Sequence, residues 1–416
     1  MVAPGCLWQP GATINKFSEA PQALRSNTYE RITPVTHHNE PGAKKIRIGL
    51  IYGGRSGEHE VSLNSASSVI ANINSDKYEV VPIAINKTGK WLLGVEPTRM
   101  IEAEKSVQAE DELEQSTAVT FTGDPNLRRL IPVNGSEEQL ESQGAIDVIF
   151  PVMHGTTGED GALQGMLDMA DVPYVGCGVL GSALGMDKEK MKMIFERAGL
   201  PVGEYLVYRR NQWERDPESI LNAVEEQLNY PCFVKPVNLG SSVGINKAHD
   251  RAELVHAINV AAEYDRKIII ERNINCREFE CAVLGNDEPI VSVMGEIVPS
   301  NEFYDYKAKY VDGKSQVIIP AEISQELSQE MRRQALIAFT SLDLSGLSRI
   351  DFFLEKETNK VYINEVNTLP GFTQISMYPM LWEASGIPYP ELIDRLVELA
   401  LERHADRQRN RTSFGL

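Results

Sequence analysis

Residues 349–367 read Arg-Ile-Asp-Phe-Phe-Leu-Glu-Lys-Glu-Thr-Asn-Lys-Val-Tyr-Ile-Asn-Glu-Val-Asn, and Thr-Leu-Pro follows. Both ends of this stretch are rich in β-branched and aromatic residues and its middle is polar, so it predicts two strands joined by a tight turn. Side chains alternate between the faces of a strand, so Arg349, Asp351 and Phe353 share one face. On the second strand, the set expected on one face is Val361, Ile363, Glu365 and Asn367.

A hairpin symmetric about Thr358 places Asp351 opposite Glu365 and Arg349 opposite Asn367. Two carboxylates that face each other destabilise a hairpin unless a cation neutralises them. Oxygen ligands from Asp, Glu and Asn suit Mg²⁺, so we predict a metal site at Asp351, Glu365 and Asn367. The alternative from these residues alone is a surface hairpin whose charges face water.

The composition of the whole chain narrows the classes of function. Its 416 residues suggest two to three domains, on a prior of roughly 100 to 200 residues each. A net charge of −18 argues against a general nucleic-acid binder, which needs clustered Lys and Arg. No apolar run approaches a membrane span, no secretory signal is evident, and the five cysteines form no CxxC pair. We therefore expect a cytoplasmic protein that binds neither membranes nor nucleic acid.

The first part of the chain predicts an extension followed by an α/β domain. Residues 1–43 contain five prolines and little periodicity, so we predict a poorly ordered extension. From Lys44, a strand, a glycine-rich turn and a helix follow one another, as in an open α/β sheet that binds ligands at its carboxyl edge. Glu58 in that turn either binds a cationic group or satisfies backbone donors at the helix start. Residues 98–142 are acidic and irregular, which suggests a surface insertion.

Further loops follow predicted strands along the chain. His154 lies in a glycine-rich loop after an apolar strand, where a site role is favoured over a core histidine. Lys235 ends a strand just before a Gly-Ser loop at residues 240–244, which suits an anion; such loops are also common as plain turns. Residues 271–274 lie where a linker between domains would run, and residues 302–310 are aromatic and charged, as in a mobile lid.

These motifs, taken together, resemble those of the D-alanine–D-alanine ligases, members of the ATP-grasp superfamily. The motifs that carry the resemblance are, in chain order, Gly53-Gly54 with Glu58-His59-Glu60-Val61-Ser62, His154-Gly155 with Gly158-Glu159-Asp160-Gly161, Met186-Asp187-Lys188, Lys235-Pro236 with Gly240-Ser241-Ser242-Val243-Gly244, the loop from Tyr304 to Tyr310, Arg349-Ile350-Asp351, and Asn364-Glu365-Val366-Asn367-Thr368-Leu369-Pro370-Gly371. They occur in the order of the family and extend from about residue 44 to residue 404.

The resemblance implies a three-domain α/β fold of the ATP-grasp type. Residues 44–184 would form a substrate-binding domain with an open parallel sheet, and residues 185–274 a central α+β domain. Residues 275–416 would form a C-terminal α+β domain that carries the lid loop and the magnesium site. ATP would bind between the central and C-terminal domains.

The resemblance also assigns roles to individual residues. The implied nucleotide-binding residues are Lys188 and Lys235 at the phosphates, Ser242 and Val243 in the covering loop, Glu271, Arg272, Asn273 and Ile274 at the adenine, and Glu278 at the ribose. Two Mg²⁺ ions, replaceable by Mn²⁺, would be held by Asp351, Glu365 and Asn367. For the two D-alanine molecules, the resemblance implies Glu58 at the first ammonium group, with His154 nearby, and Arg349 with the Gly371 backbone amide at the oxyanion. Lys309 and Ser376 would bind the second carboxylate, and Met377 would lie beside that pocket. Ser241 and Tyr310 would link the lid to Glu58.

The implied activity is the ATP-dependent joining of two D-alanine molecules through an acyl phosphate, for peptidoglycan precursors. The lid keeps Tyr304, Tyr306, Lys309 and Tyr310, which favours an amine nucleophile over D-lactate. D-Serine at the second position stays open, as does another ATP-grasp carboxylate–amine ligase. A non-enzymatic alternative is a nucleotide-binding regulator. Relatives are commonly dimers, so a homodimer is expected.

Overall fold

The computed structural model describes residues 44–103, 105–106, 113, 115–125, 130–133, 145–240, 243–298 and 316–411. The predicted extension at residues 1–43 lies outside them. Residues from Lys44 onward form one compact unit. Within it, three main sheets follow one another along the chain. The proposed domain boundaries at 184/185 and 274/275 fall between these sheets.

The first sheet confirms the expected open α/β arrangement at the start of the unit. Its part of the chain contains β1 (Ile46–Gly53), α1 (His59–Asn72), β2 (Tyr78–Ile85), β3 (Trp91–Leu93), α2 (Pro97–Ala103), β4 (Val119–Phe121), β5 (Leu130–Pro132), β6 (Val148–Pro151), α3 (Ala162–Met169) and α4 (Val179–Met186). The strand order is β3-β2-β1-β6, and β1 runs parallel to both β2 and β6. Because β1 and β6 end side by side, with Ile51 opposite Pro151, their two glycine-rich loops start at the same edge.

The prediction that residues 98–142 are irregular was wrong for much of the described part. Helix α2 extends to Ala103, and β4 pairs antiparallel with β5. Val119 and Phe121 of β4 are buried, and they pack in one apolar cluster with Ile83 and Ile149 of the first sheet. This burial stabilises the short hairpin of β4 and β5.

The second sheet is antiparallel and covers the middle of the chain. Its elements are α5 (Lys188–Arg197), β7 (Tyr205–Arg209), α6 (Arg210–Arg215), α7 (Pro217–Gln227), β8 (Cys232–Pro236), β9 (Asn246–Ala248), α8 (Arg251–Tyr264) and β10 (Lys267–Arg272). The strand order is β7-β10-β8-β9. β10 lies inside the sheet, and its Ile268–Ile270 run is fully buried, as an apolar run without alternation predicts.

The third sheet is antiparallel and carries the hairpin of residues 349–367. Its elements are β11 (Cys276–Gly285), β12 (Ile290–Val291), β13 (Gly295–Val298), β14 (Gln316–Ile318), α9 (Gln325–Ser341), β15 (Gly346–Glu355), β16 (Val361–Asn367), α10 (Met377–Ala384) and α11 (Tyr389–Arg407). The strand order is β14-β13-β11-β15-β16, and β12 pairs with β11. Across the described ranges, none of the helices combines the length and the apolar character that a membrane span requires.

The predicted register of the hairpin is confirmed at its open end. Arg349 pairs with Asn367 and Asp351 pairs with Glu365. The register then shifts, because Phe352 pairs with Ile363 and leaves Asn364 as an extra residue in a β-bulge.

The bulge corrects the prediction that Val361, Ile363, Glu365 and Asn367 share one face. Val361 and Ile363 pack in an apolar cluster with Phe352. Glu365 and Asn367 lie on the opposite face, with Asp351. The extra residue therefore lets β16 bury its apolar half and still present its polar end to the site.

The largest apolar core joins the first and last parts of the unit. Ile48 and Leu50 of β1, Leu284 of β11, and Leu392 and Leu396 of α11 belong to one buried cluster. Helix α11 has apolar residues at helical spacing, which is typical of an amphipathic helix, and it buries them between the first and third sheets.

Candidate active site

The polar face of the β15–β16 hairpin forms a connected group of charges. The Arg349 Nε and Nη2 atoms donate to the two Asp351 carboxylate oxygens at 2.8 and 2.7 Å. The Asn367 amide also donates to Asp351, at 3.1 Å. The donor set of two carboxylates and one amide oxygen fits Mg²⁺, which completes its coordination with phosphate oxygens and water. Within the described ranges no group of three or more His, Cys, Asp or Glu side chains could hold a metal, so the fit depends on Asn367 and on oxygens supplied by a substrate.

Glu280 belongs to this group and was not among the predicted site residues. It lies on β11 directly opposite Asp351, and its Oε2 atom is 2.8 Å from Arg349 Nε. Arg349 is thus held between carboxylates from two strands. The alternation of charged and apolar residues in Glu278-Phe279-Glu280 carried the signal, because the second glutamate must share the face of the first.

A second cluster brings three buried lysines together with Glu271 and Glu365. Lys188 Nζ lies 3.5 Å from Glu365 and donates to the Leu239 carbonyl at 2.8 Å. Lys235 and Lys192 both pair with Glu271, at 2.5 and 2.9 Å. The predicted phosphate contacts, Lys188 and Lys235, therefore face the predicted metal hairpin, and Lys192 is a further lysine that the sequence did not single out.

The pKa values in this cluster reflect its ion pairs. Burial alone would lower the pKa of Lys235, but Glu271 and Glu365 raise it above its ordinary value. Burial alone would raise the pKa of Glu271, but Lys192 and Lys235 hold it far below its usual range. Glu271 therefore stays ionised and Lys235 stays charged at neutral pH.

The segment predicted as a linker begins later than expected. Glu271 and Arg272 belong to β10, where they pair with Phe233 and Cys232 of β8. The strand continues because its neighbours satisfy its backbone, and residues 273–275 connect it to β11.

The other residues predicted at the adenine and ribose lie around this strand end. Arg272 reaches Glu355 at 3.3 Å and the Tyr362 hydroxyl at 3.4 Å. The backbone N–H of Asn273 donates to the Pro231 carbonyl at 3.3 Å. Ile274 approaches Gly203, and Glu278 is half-buried on β11 opposite Phe353.

Glu58 lies where the glycine-rich loops meet. It precedes α1, but its side chain makes no capping hydrogen bond, so the helix-start alternative is not supported. A Cβ atom at Gly155 would lie 2.6 Å from Glu58 Oε2, and one at Gly240 would lie 3.1 Å from it. Val243 of the same Gly-Ser loop lies against Gly57. The loops after β1, β6 and β8 thus converge on one carboxylate, and only small residues allow that approach.

His154 is 4% exposed, and both of its ring nitrogens have partners within the protein. Its Nδ1–H donates to the Leu369 carbonyl at 2.9 Å, and Nε2 lies 3.1 Å from the Ser65 hydroxyl. Glu159, which was not predicted as a site residue, lies 3.7 Å from Nδ1. This arrangement places His154 as support beneath the loops, with its nitrogens turned towards protein groups.

The pKa values of both partners are raised. Burial alone would lower the pKa of His154, but Glu159 and Glu58 raise it. Burial raises the pKa of Glu159 to about 7; His154 opposes that rise and the charge of Glu58 adds to it.

The turn after the hairpin places Ser376 beside Gly371. A Cβ atom at Gly371 would lie 3.0 Å from Ser376 Oγ, which also accepts from the Thr373 amide at 3.0 Å. Met377 is buried, and its methyl group packs over Gly295. The predicted residues Ser241, Ser242, Lys309 and Tyr310 lie outside the described residues.

Models of two protein families match most of this chain. Residues 47–177 match the model described as D-ala D-ala ligase N-terminus, and residues 194–398 match D-ala D-ala ligase C-terminus. The chain is 53% identical over 380 residues to the D-alanine--D-alanine ligase of Ruminiclostridium cellulolyticum, which covers 89% of this chain and 99% of that protein. It is 51% identical over 366 residues to the same-named protein of Acetivibrio thermocellus, covering 87% and 97%.

Two solved structures are similar in fold. The VanG D-Ala:D-Ser ligase from Enterococcus faecalis matches with a TM-score of 0.75 and 35% identity, covering 86% of this chain and 100% of that one. The D-alanine-D-alanine ligase from Coxiella burnetii matches with a TM-score of 0.72 and 34% identity, covering 88% and 97%.

Proposed function

The chain belongs to the D-alanine–D-alanine ligase family, and on that premise we propose that it joins two D-alanine molecules at the expense of ATP. The products are D-alanyl-D-alanine for peptidoglycan precursors, ADP and phosphate. The observation that carries the proposal is the convergence of Lys188 and Lys235 with Glu365 of the hairpin, close to the loops around Glu58.

In the first step, the carboxylate of one D-alanine attacks the γ-phosphorus of ATP, the bond to the β-phosphate oxygen breaks, and an acyl phosphate and ADP form. Negative charge spreads over the transferred group, so the catalytic need is for cations and donors already in place. Lys188 and Lys235 supply two buried cations there. Glu58 pairs with the ammonium group of that D-alanine and orients it.

In the second step, the amine of the other D-alanine attacks the acyl carbonyl, and phosphate leaves once the tetrahedral intermediate collapses. The oxyanion is stabilised by Arg349 and the Gly371 amide, and Ser376 binds the second carboxylate. Glu280 and Asp351 hold the Arg349 guanidinium, so it needs little reorganisation when charge develops. Bound through Asp351, Glu365 and Asn367, Mg²⁺ would neutralise phosphate charge.

The second substrate is D-alanine in this proposal, and D-serine is the alternative because one solved relative is a D-Ala:D-Ser ligase. Mass spectrometry of products from an equimolar mixture of D-alanine, D-serine and D-lactate with ATP and Mg²⁺ decides between them. We expect D-alanyl-D-alanine as the main product. A main product that contains D-serine would reject the D-alanine assignment, and absence of ADP formation with every acceptor would favour the nucleotide-binding regulator.

The role of the hairpin is tested with Glu365→Gln. The substitution removes one carboxylate from the metal set and one partner of Lys188, and we expect turnover to fall by about a hundredfold or more. Release of phosphate measures turnover, and thermal unfolding checks that the fold is kept. Near-normal activity in a folded Glu365→Gln variant would remove Glu365 from the mechanism.

Homodimeric assembly stays a prediction that rests on the family resemblance, and a cytoplasmic location stays a prediction from the sequence. Light scattering of the purified protein checks the first, with a mass of twice 46.3 kDa expected.

A further inference from the structure

Helix α5 presents two lysines, one turn apart, to the same buried region. Lys188 and Lys192 are 7% and 3% exposed, and residues four apart share one face of a helix. The resemblance assigns Lys188 to the phosphates and gives Lys192 no role. Lys190 on the same helix pairs with Glu189, and both of these side chains are in contact with solvent.

Lys192 makes two contacts in the site cluster. Its Nζ atom lies 2.9 Å from Glu271 Oε1 and donates to the carbonyl of Asn364 at 3.4 Å. Asn364, the extra residue of the β-bulge, directly precedes Glu365. Lys192 therefore connects α5 to the end of β10 and to the metal hairpin.

The other carboxylate oxygen of Glu271, Oε2, pairs with Lys235 Nζ at 2.5 Å. A buried carboxylate is costly unless it is paired, and its attraction for a cation is stronger than in water. With Lys235 as its sole cation, Glu271 would compete with the nucleotide for the Lys235 ammonium. With Lys192 present, the carboxylate stays neutralised when Lys235 turns towards a phosphate.

We infer that Lys192 is a positioning residue for ATP binding, acting as the standing counter-ion of Glu271 so that Lys235 is available to the phosphates. The inference rests on the proposed function, because it requires ATP as the ligand. It concerns nucleotide affinity.

The test uses the full-length chain and its Lys192→Met variant. Calorimetry with ATP and Mg²⁺, without D-alanine, gives the dissociation constant; steady-state kinetics give KM for ATP, KM for D-alanine and kcat. We expect the dissociation constant and KM for ATP to rise by about tenfold, and KM for D-alanine to stay within about twofold. Lys190→Met is the matched control, and we expect it to bind ATP as the unaltered chain does.

A double variant separates this role from a loss of structure. The reference is Glu271→Gln alone, because the resemblance also places Glu271 at the adenine. In Lys192→Met with Glu271→Gln, the Glu271 carboxylate no longer holds Lys235, so the affinity for ATP should stay within about threefold of that of Glu271→Gln alone. A purely structural role predicts that Lys192→Met weakens ATP binding in the Glu271→Gln background as much as it does in the unaltered chain. The double variant also serves if the single variant does not fold, because it leaves no unpaired carboxylate.

The outcomes are distinct for the two proposals. If the unaltered chain binds no ATP, the proposed function fails and the inference fails with it. If the unaltered chain binds ATP and Lys192→Met binds it equally well, the inference alone is overturned. A double variant that binds ATP about tenfold more weakly than Glu271→Gln alone also overturns it.

Discussion

Individual titratable residues make the region of the glycine-rich loops around Glu58 sensitive to pH. His154 and Glu159 lie beneath the loops that converge on Glu58, and the pKa of each is raised. Their partners come from distant parts of the chain, since His154 bonds Leu369 and Ser65. The sequence indicated the loop and the histidine, because both follow a strong apolar strand. It could not indicate that both ring nitrogens are occupied, since that depends on residues brought together by folding.

We predict that Glu159 makes the protein less stable as pH rises towards 8. Its pKa is raised by burial from 4.5 to about 7, so its favourable contribution is complete below pH 4.5 and is lost as pH rises through about 7. The variant Glu159→Gln resembles the protonated acid at every pH. We expect the difference in unfolding free energy between this variant and the unaltered chain to rise by about 2 kcal/mol, in favour of the variant, from about pH 5 to about pH 8.

Urea unfolding at several pH values measures this difference. The exposed residue Glu253 provides the control, because its pKa is lowered by hydrogen bonds to His249. Glu253→Gln should show no gain over this range. A constant difference between Glu159→Gln and the unaltered chain at all pH values would contradict the prediction.

Helix α4 shows how one element sets the position of the site. Its Gly181 and Gly185 share one face, and this face packs against the chain on both sides of the hairpin. A Cβ atom at Gly181 would lie 2.6 Å from the Asp343 carbonyl oxygen, and one at Gly185 would lie 2.6 Å from Thr368 Cγ2. Thr368 is buried and follows Asn367, which we propose as a metal ligand.

We predict that Gly185→Ala destabilises the protein and lowers ligase activity. The added methyl group must displace Thr368, at a cost of about 1–3 kcal/mol, and this exceeds the gain in helix propensity of about 1 kcal/mol. Gly165→Ala in α3 is the control, because its Cβ atom would meet only Val179, at 3.9 Å. Thermal unfolding should move in opposite directions for the two variants; a stabilised Gly185→Ala variant would contradict the expected contact.

The hairpin shows which part of an element can be predicted. The pairing of Asp351 with Glu365 follows from symmetry about the polar turn, and the structure shows this pairing. The bulge at Asn364 does not follow, because Asn is compatible with a regular strand and its carbonyl partner, Lys192, is far away in sequence. Local patterns therefore predict elements and their faces, whereas one-residue irregularities depend on neighbours from other elements.

At the scale of the whole molecule, one core joins the first and third sheets through α11. Leu396 is fully buried in the cluster that also contains Ile48 of β1 and Leu347 of β15. The sequence predicted α11 as an amphipathic helix but could not indicate its partners. The matches to family models and the fold of solved relatives supply that arrangement.

We predict that Leu396→Ala weakens the first and third sheets together. Removing a buried leucine side chain costs about 2–5 kcal/mol. Hydrogen exchange followed by mass spectrometry should show faster exchange in both β1 and β15, and a smaller change in β8. Arg409→Ala, at an 81% exposed side chain, should change none of them. Faster exchange confined to β15 would contradict a shared core.

This core also has a consequence for the newly made chain on the ribosome. Ile48 and Leu50 belong to the first strand of the compact unit, and their partners Leu392 and Leu396 belong to its last helix. Chains are made at about 5–20 residues per second, so this cluster lacks its last helix for about 20–70 s after β1 is made. During that interval, the apolar surface that α11 later buries is open to chaperones that bind exposed apolar segments. Folding of the unit is completed only after synthesis has passed α11.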